Sequence, residues 1–164
     1  MVELTLRAAS RPEDGASVWQ ILEPVFRAGD TYTVDPDISP EEALDYWFGA
    51  SHGVVIAEAG GVALGTYYLK RNQAGGGAHV CNCGYVTAPE ARGRGVARSM
   101  LAHSLERARA VGFAAMQFNF VVETNARAID IWRRAGFREV GRLPVAFRHP
   151  RHGAVDALIL WRDL

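Results

Sequence analysis

Lysine is almost missing from this chain: of its 18 basic residues all but Lys70 are arginine. Biased codon usage accounts for such a skew before any functional demand for guanidinium does. Those 18 positive groups face 18 acidic ones, so the formal net charge is zero and the broad positive footprint of a nucleic-acid binder is absent. Cysteine is scarce as well, with only Cys81 and Cys83. Alternate positions of a strand point both thiols the same way, a poor geometry for a disulfide, and no second pair exists to complete a zinc site. They read as buried free thiols of a reducing cytoplasm, and no metal is expected. No window approaches the roughly 18 apolar residues of a membrane span. Met1 to Ser10 alternates charged and apolar residues and offers no secretory apolar core. Repeats, low-complexity tracts and Pro/Ser-rich linkers are missing too, so residues 1–164 are read as one domain.

What is present is an ordinary globular composition, 49% hydrophobic, long enough to bury a sizeable core. Val2 to Arg7 alternates and predicts a strand. Pro12 opens a helical stretch to about Arg27, which Pro24 is expected to kink or end early. A polar loop from Gly29 to Asp37 follows. Ser39, Pro40 and Glu42 then form the start signal of a short helix to about Phe48. Two β-rich runs around Ala59-Gly60-Gly61 read as a hairpin. A glycine loop (Gly75 to Gly77) leads to a third long strand, "AHVCNCGYVT". A helix from about Gly95 to Val111 carries Val96, Met100, Leu101, Leu105 and Ala108 as one stripe and stops at Gly112. "FAAMQFNFVV" is nearly continuous in apolar residues, the pattern of a central strand covered on both faces. A helix capped by Thr124 and stopped by Gly136 comes next, then strands at about Arg138 to Leu143 and Val155 to Trp161. The order β-αα-βββ-α-β-α-ββ predicts an α/β (α+β) fold: a mixed central sheet of about seven strands with helices on both faces.

Between the third long strand and its helix lies "PEARGRGVARSM", two glycines flanked by three arginines. A strand that feeds a glycine loop opening a helix presents unpaired backbone N–H groups at the positive end of a helix dipole, a ready site for phosphate. Gly93 and Gly95 admit a ligand to the backbone, and Arg92, Arg94 and Arg98 add charge. No Lys-Ser/Thr follows the glycines, which excludes a Walker loop, and the third glycine of a dinucleotide turn is missing.

"VTAPEARGRGVA" resembles the acetyl-CoA motif of the GNAT superfamily of N-acetyltransferases, Arg/Gln-x-x-Gly-x-Gly/Ala, with Arg92, Gly95 and Ala97 on its fixed positions. "NARAIDIWRRAGF" is similar to the second signature of that family, met by Asn125, Ala128, Trp132, Gly136 and Phe137. The element order agrees with the GNAT fold. The resemblance implies an acyltransferase using acetyl-CoA (coenzyme A), its pyrophosphate held by the backbone of Gly93, Arg94, Gly95, Val96, Ala97 and Arg98. The strand end Tyr85, Val86 and Thr87 is expected to pair with the pantetheine amides at a splay between this strand and the next. A backbone N–H near Val86 is expected to polarise the thioester, and Asn125 to contact the cofactor. Many members carry tyrosine where this chain has Trp132, whose indole N–H is no acid. Trp132 is therefore placed in the cofactor wall.

The acceptor amine must attack as free base. Asn82 and Asn119 are amides inside apolar strands, where an apolar residue would cost less unless the amide satisfies backbone or binds the acceptor. Glu123 is a candidate base acting through water, or only the residue before a helix cap, and Tyr32 lies in the polar loop that shapes specificity in such folds. His79, His149, His152 and Asp156 are expected in solvated strand ends. The pairing of "NCGYVTAP" with "MQFNFVVETN" also resembles GNAT enzymes of proline-like imino acids, which implies a small amine acceptor, an amino or imino acid; direct transfer in a ternary complex is expected. An N-terminal acetylase of peptides or proteins and a non-catalytic acyl-CoA sensor are the alternatives. Analogy within the superfamily implies a homodimer.

Overall fold

Two serines set the start of two helices. The Ser10 hydroxyl accepts from the Glu13 N–H and opens α1 (Arg11–Ala28); Ser39 and Glu42 complete a reciprocal capping box and open α2 (Pro40–Trp47). The computed structural model describes residues 3–164. α1 does not end at Pro24. The missing N–H removes a single helical bond, the one to Gln20 O, and the helix runs on to Gly29, which closes it at φ 63 by donating to Phe26 O, while Leu22 and Phe26 anchor it in the core.

Seven strands form one mixed sheet, matching the expected fold class. They are β1 (Thr5–Ala8), β2 (Gly53–Ala59), β3 (Val62–Arg71), β4 (Val80–Thr87), β5 (Ala115–Val122), β6 (Arg138–His149) and β7 (Gly153–Asp163). The spatial order is β1-β2-β3-β4-β5-β7-β6, with β4 and β5 parallel and the other pairs antiparallel. The first strand begins later than its pattern suggested, and Val2 lies outside the described residues. β6 and β7 run longer than expected at their shared turn.

Period-two alternation along β3 sorts the helices to the two faces. Thr66 and Tyr68 point to one side, where the fully buried Trp47 of α2 donates its indole N–H to Thr66 Oγ1 at 3.1 Å and Thr66 donates onward to Val55 O. Gly65 and Tyr67 point to the other, beneath α3 (Val96–Val111); a Cβ on Gly65 would stand 2.9 Å from Met100 Cε. α4 (Ala126–Arg134) lies on the α3 side, its Trp132 packed on Phe118 with ring centroids 4.9 Å apart. Its cap is Asn125, one residue later than the expected Thr124. Cys81 and Cys83 are both buried and free, and burial pushes the Cys81 thiol up to about 12.

β5 is not covered on both faces, as its apolar run suggested. Met116 and Phe118 are buried under α3 and α4, but Asn119 on the opposite face is exposed and Gln117 half-buried. The apolar run reflects one buried face plus Phe120 and Val122, which pack with Phe147 and Val155 from the closing hairpin.

Candidate active site

After Thr87 the chain makes a 3₁₀ turn (Pro89–Ala91) and reaches α3 through Gly93 at φ 83 and Gly95 at φ 82, left-handed conformations that side chains disfavour. The Ser99 N–H is the first to find a helical acceptor, Gly95 O at 3.1 Å. The N–H groups of Val96, Ala97 and Arg98 therefore point out of the helix at its positive end. No atom lies within 4 Å of where a Cβ on Gly95 would sit, so the space above the loop is open. Arg92, Arg94 and Arg98 are exposed, and among the described residues none has a carboxylate within ion-pair distance.

Beside this loop the sheet comes apart. β4 and β5 are each eight residues long, yet they pair only at Val80–Ala115 and Cys81–Met116. Past that point the Asn82 side-chain amide, not the backbone, crosses the gap and donates to Gln117 O at 2.8 Å. β4 stays paired with β3 as far as Thr87. Asn72 N donates to Val80 O at one end of that ladder and Ala88 N to Leu64 O at the other. Antiparallel alternation between these two rungs turns the backbone groups of Asn82, Gly84 and Val86 toward β3, and those of Cys83, Tyr85 and Thr87 into the gap. Val86 itself faces Thr66, so the N–H groups beside it that turn into the gap are those of Tyr85 and Thr87.

The α1–α2 loop covers the other side of the gap. The Tyr32 hydroxyl donates to Tyr85 O at 3.0 Å, and its ring packs on Phe26 and Trp47 at centroid distances of 5.3 and 6.0 Å. Burial raises the Tyr32 phenol well above the ordinary tyrosine range, so at neutral pH it is a hydrogen-bond donor and no base. Asp30 of the same loop meets Arg151 of the β6–β7 turn at 3.8 Å. His149 is buried, contrary to the solvated strand end expected, because its Nδ1 accepts the N–H groups of Arg151 and His152 and so shapes that turn.

The other candidates separate. Asn119 donates to Asn72 Oδ1 at 2.7 Å and accepts from Gln117 Nε2 at 2.9 Å, so a row of amides, the exposed Asn119 between the half-buried Asn72 and Gln117, leads to Asn82 at the splay. Asn72 and Gln117 escaped the sequence reading; Gln117 shares the i, i+2 face of Asn119 and could have been found. Glu123 accepts from Asp156 N with one oxygen and from Arg142 with the other, tying β5 to β7. Asn125 makes no capping bond with its side chain. Trp132 and Phe137, two fixed positions of the second signature, both pack on Phe118.

A family model described as the acetyltransferase (GNAT) family matches residues 16–137, a span that contains the Gly93–Arg98 loop, the splay and α4. The chain belongs to the GNAT acetyltransferase family. The N-acetyltransferase aca1 of Schizosaccharomyces pombe is 31% identical over 148 residues, covering 80% of this chain and 71% of that one. A GCN5-related N-acetyltransferase from Kribbella flavida superposes with a TM-score of 0.92 at 36% identity over 98% of both chains. A GNAT phosphinothricin acetyltransferase from Sinorhizobium meliloti, solved with acetyl-CoA, superposes at 0.84 with 23% identity over 98% of this chain and 88% of that one; at that identity the likeness is one of fold. This GNAT protein is an acyltransferase with acetyl-CoA as cosubstrate. The open loop above Gly95 fits the cosubstrate's phosphates, since it offers unpaired N–H groups, unpaired arginines and room.

Proposed function

We propose that this acetyltransferase moves an acetyl group to the amine of a small amino or imino acid, by direct attack while both substrates are bound. One observation carries the reading: the edge of β4 from Cys83 to Thr87 lies open between the phosphate loop on one side and the Tyr32-covered loop on the other. A strand edge without a partner needs hydrogen bonds, and a pantetheine arm supplies amides of the right kind to the Tyr85 N–H, whose carbonyl Tyr32 already serves, and to Thr87. Gly93 to Arg98 hold the pyrophosphate, Asn125 reaches the cofactor from α4, and Trp132 walls it.

The amine's lone pair attacks the thioester carbonyl carbon; the C–N bond forms and the C–S bond breaks. A gap-facing backbone N–H of Tyr85 or Thr87 meets the developing oxyanion, where a fixed donor is worth more than mobile water. The thiolate leaves unprotonated, since Trp132 supplies no acidic proton. Asn82, Asn119 and Tyr32 line the acceptor side and orient the amine or carboxylate. Both Glu123 oxygens are engaged by donors, so the amine's proton passes to water held by these amides.

A small acceptor is favoured over a peptide terminus because Tyr32–Tyr85 holds the α1–α2 loop down on β4 and Asp30–Arg151 brings the same loop to the β6–β7 turn. Among the described residues no helix is long and apolar enough to cross a membrane, and we place the enzyme in the cytoplasm, as a homodimer by analogy. Thiol release from acetyl-CoA, followed with a panel of amino acids, imino acids and dipeptides, tests the proposal. Turnover confined to small amino or imino acids is expected. Turnover confined to peptides overturns the acceptor class, and binding without turnover on any amine points to a sensor.

A further inference from the structure

A fourth arginine reaches the phosphate loop from the other signature. Arg127, the second residue of α4, places Nη2 3.6 Å from the point a Cβ on Gly93 would occupy. Its setting is unfavourable in three ways unless an anion is present. It stands in the first turn of a helix, where the dipole disfavours a cation. It shares its corner of the molecule with a loop that carries Arg92, Arg94 and Arg98, none of them paired. And among the described residues it has no carboxylate of its own. Asp130, three residues on and within reach along the helix, is bonded to Arg134 instead, Nε to Oδ1 at 3.1 Å.

We propose that Arg127 is a phosphate-binding residue that closes the cofactor loop from the α4 side, taking an oxyanion of coenzyme A. This rests on the phosphate-loop reading above. The guanidinium lies beside Gly93, at the edge of the loop whose backbone N–H groups open at the start of α3, so an anion seated on Gly93 to Arg98 meets it without any movement of backbone. Two sources offer the same chemistry, the diphosphate and the ribose 3′-phosphate. The contact also gives the second signature a share in binding: α4 brings a cation to phosphate as well as the Trp132 wall.

Calorimetry with CoA and with dephospho-CoA, on the unsubstituted protein, Arg127→Gln and Arg134→Gln, tests this. Arg127→Gln should lose about tenfold in CoA affinity, a typical worth for one charge-assisted contact. The loss should shrink as salt is raised toward ~1 M, because the site is exposed. Arg134→Gln, whose side chain is bonded to Asp130, should bind as the unsubstituted protein does. A loss seen with CoA alone identifies the 3′-phosphate and an equal loss with both ligands the diphosphate; either supports the proposal. The ligand-free melting temperature of Arg127→Gln should stay level or rise, since a cation has left a helix N-terminus. CoA affinity within twofold of the unsubstituted protein, or a lowered ligand-free melting temperature, overturns it. Full CoA binding by Arg127→Gln beside a loss on the order of a hundredfold in Gly95→Glu sinks this inference alone; no CoA binding by the unsubstituted protein sinks the phosphate loop with it.

Discussion

The side-chain amide of Asn82 donates to the backbone carbonyl of Gln117 at 2.8 Å, immediately past the last paired rung of β4 and β5. It stands where a ladder hydrogen bond would stand if the strands stayed together, so it satisfies Gln117 while leaving β4 open. Asn82→Ala leaves that carbonyl without its donor at a buried position. A stability loss of about 1–3 kcal/mol is expected, read from chemical denaturation. An unchanged midpoint would show that the gap does not depend on this bridge.

Tyr32→Phe keeps the ring on Phe26 and Trp47 and removes only the hydroxyl. The folded protein should lose about 1 kcal/mol, the worth of one hydrogen bond. If the hydroxyl also orients the acceptor, kcat/KM for the amine should fall by about tenfold or more while acetyl-CoA affinity stays level. Kinetics with each substrate varied in turn check this; an equal loss in both would place Tyr32 on the cofactor.

Gly95→Glu puts a carboxylate into the open space above the phosphate loop. Nothing in the protein obstructs it, though the left-handed backbone costs roughly 1–2 kcal/mol for any side chain. Acetyl-CoA affinity should fall on the order of a hundredfold, about 2.7 kcal/mol. Gly95→Ala serves as the control for strain alone, and calorimetry on both variants separates charge from backbone.

Asn119→Ala acts on an exposed side chain, so its stability should change by less than about 0.5 kcal/mol. A fall in turnover with an unaltered melting curve would assign the amide to the acceptor. Normal kinetics would reduce it to a surface contact with Asn72.

Acid should loosen the fold at Asp14. Arg7 hydrogen-bonds both of its oxygens, at 2.8 and 3.1 Å, and with the Ser10 N–H holds the buried carboxyl below the usual aspartate range. A depressed carboxyl pKa contributes stability above the unfolded-state value, and that stability is lost as pH falls through the folded-state value. The melting-temperature difference between the unsubstituted protein and Asp14→Asn should therefore be largest near neutrality and shrink below the ordinary aspartate pKa. A constant difference across that window would contradict it.

The sequence by itself determined the local signals. Ser39, Pro40 and Glu42 opened α2, and Gly95 and Gly112 bounded α3, because capping depends on atoms within four residues of one another. The same is true of the left-handed turn at Gly93 and Gly95, and family membership followed from spacings within that loop and α4. Tertiary structure alone decided which neighbour each strand residue meets. Asn119 sits in an apolar run, but no pattern along β5 says that one face has no helix above it at that row. Which β4 amides open into the gap depends on the pairing parity with β3, and a shift of one residue exchanges Val86 for Tyr85 or Thr87. Val145 holds φ 45, rare for a β-branched residue, in the irregular stretch of β6 between Leu143 and Phe147, where Asp156 from the next strand accepts its N–H at 2.9 Å. Tyr32 reaches Tyr85, 53 positions away, and Arg127 reaches Gly93 from the other signature. Such contacts join segments whose separation in sequence carries no periodicity, so only the closed sheet with its helices in place brings them together.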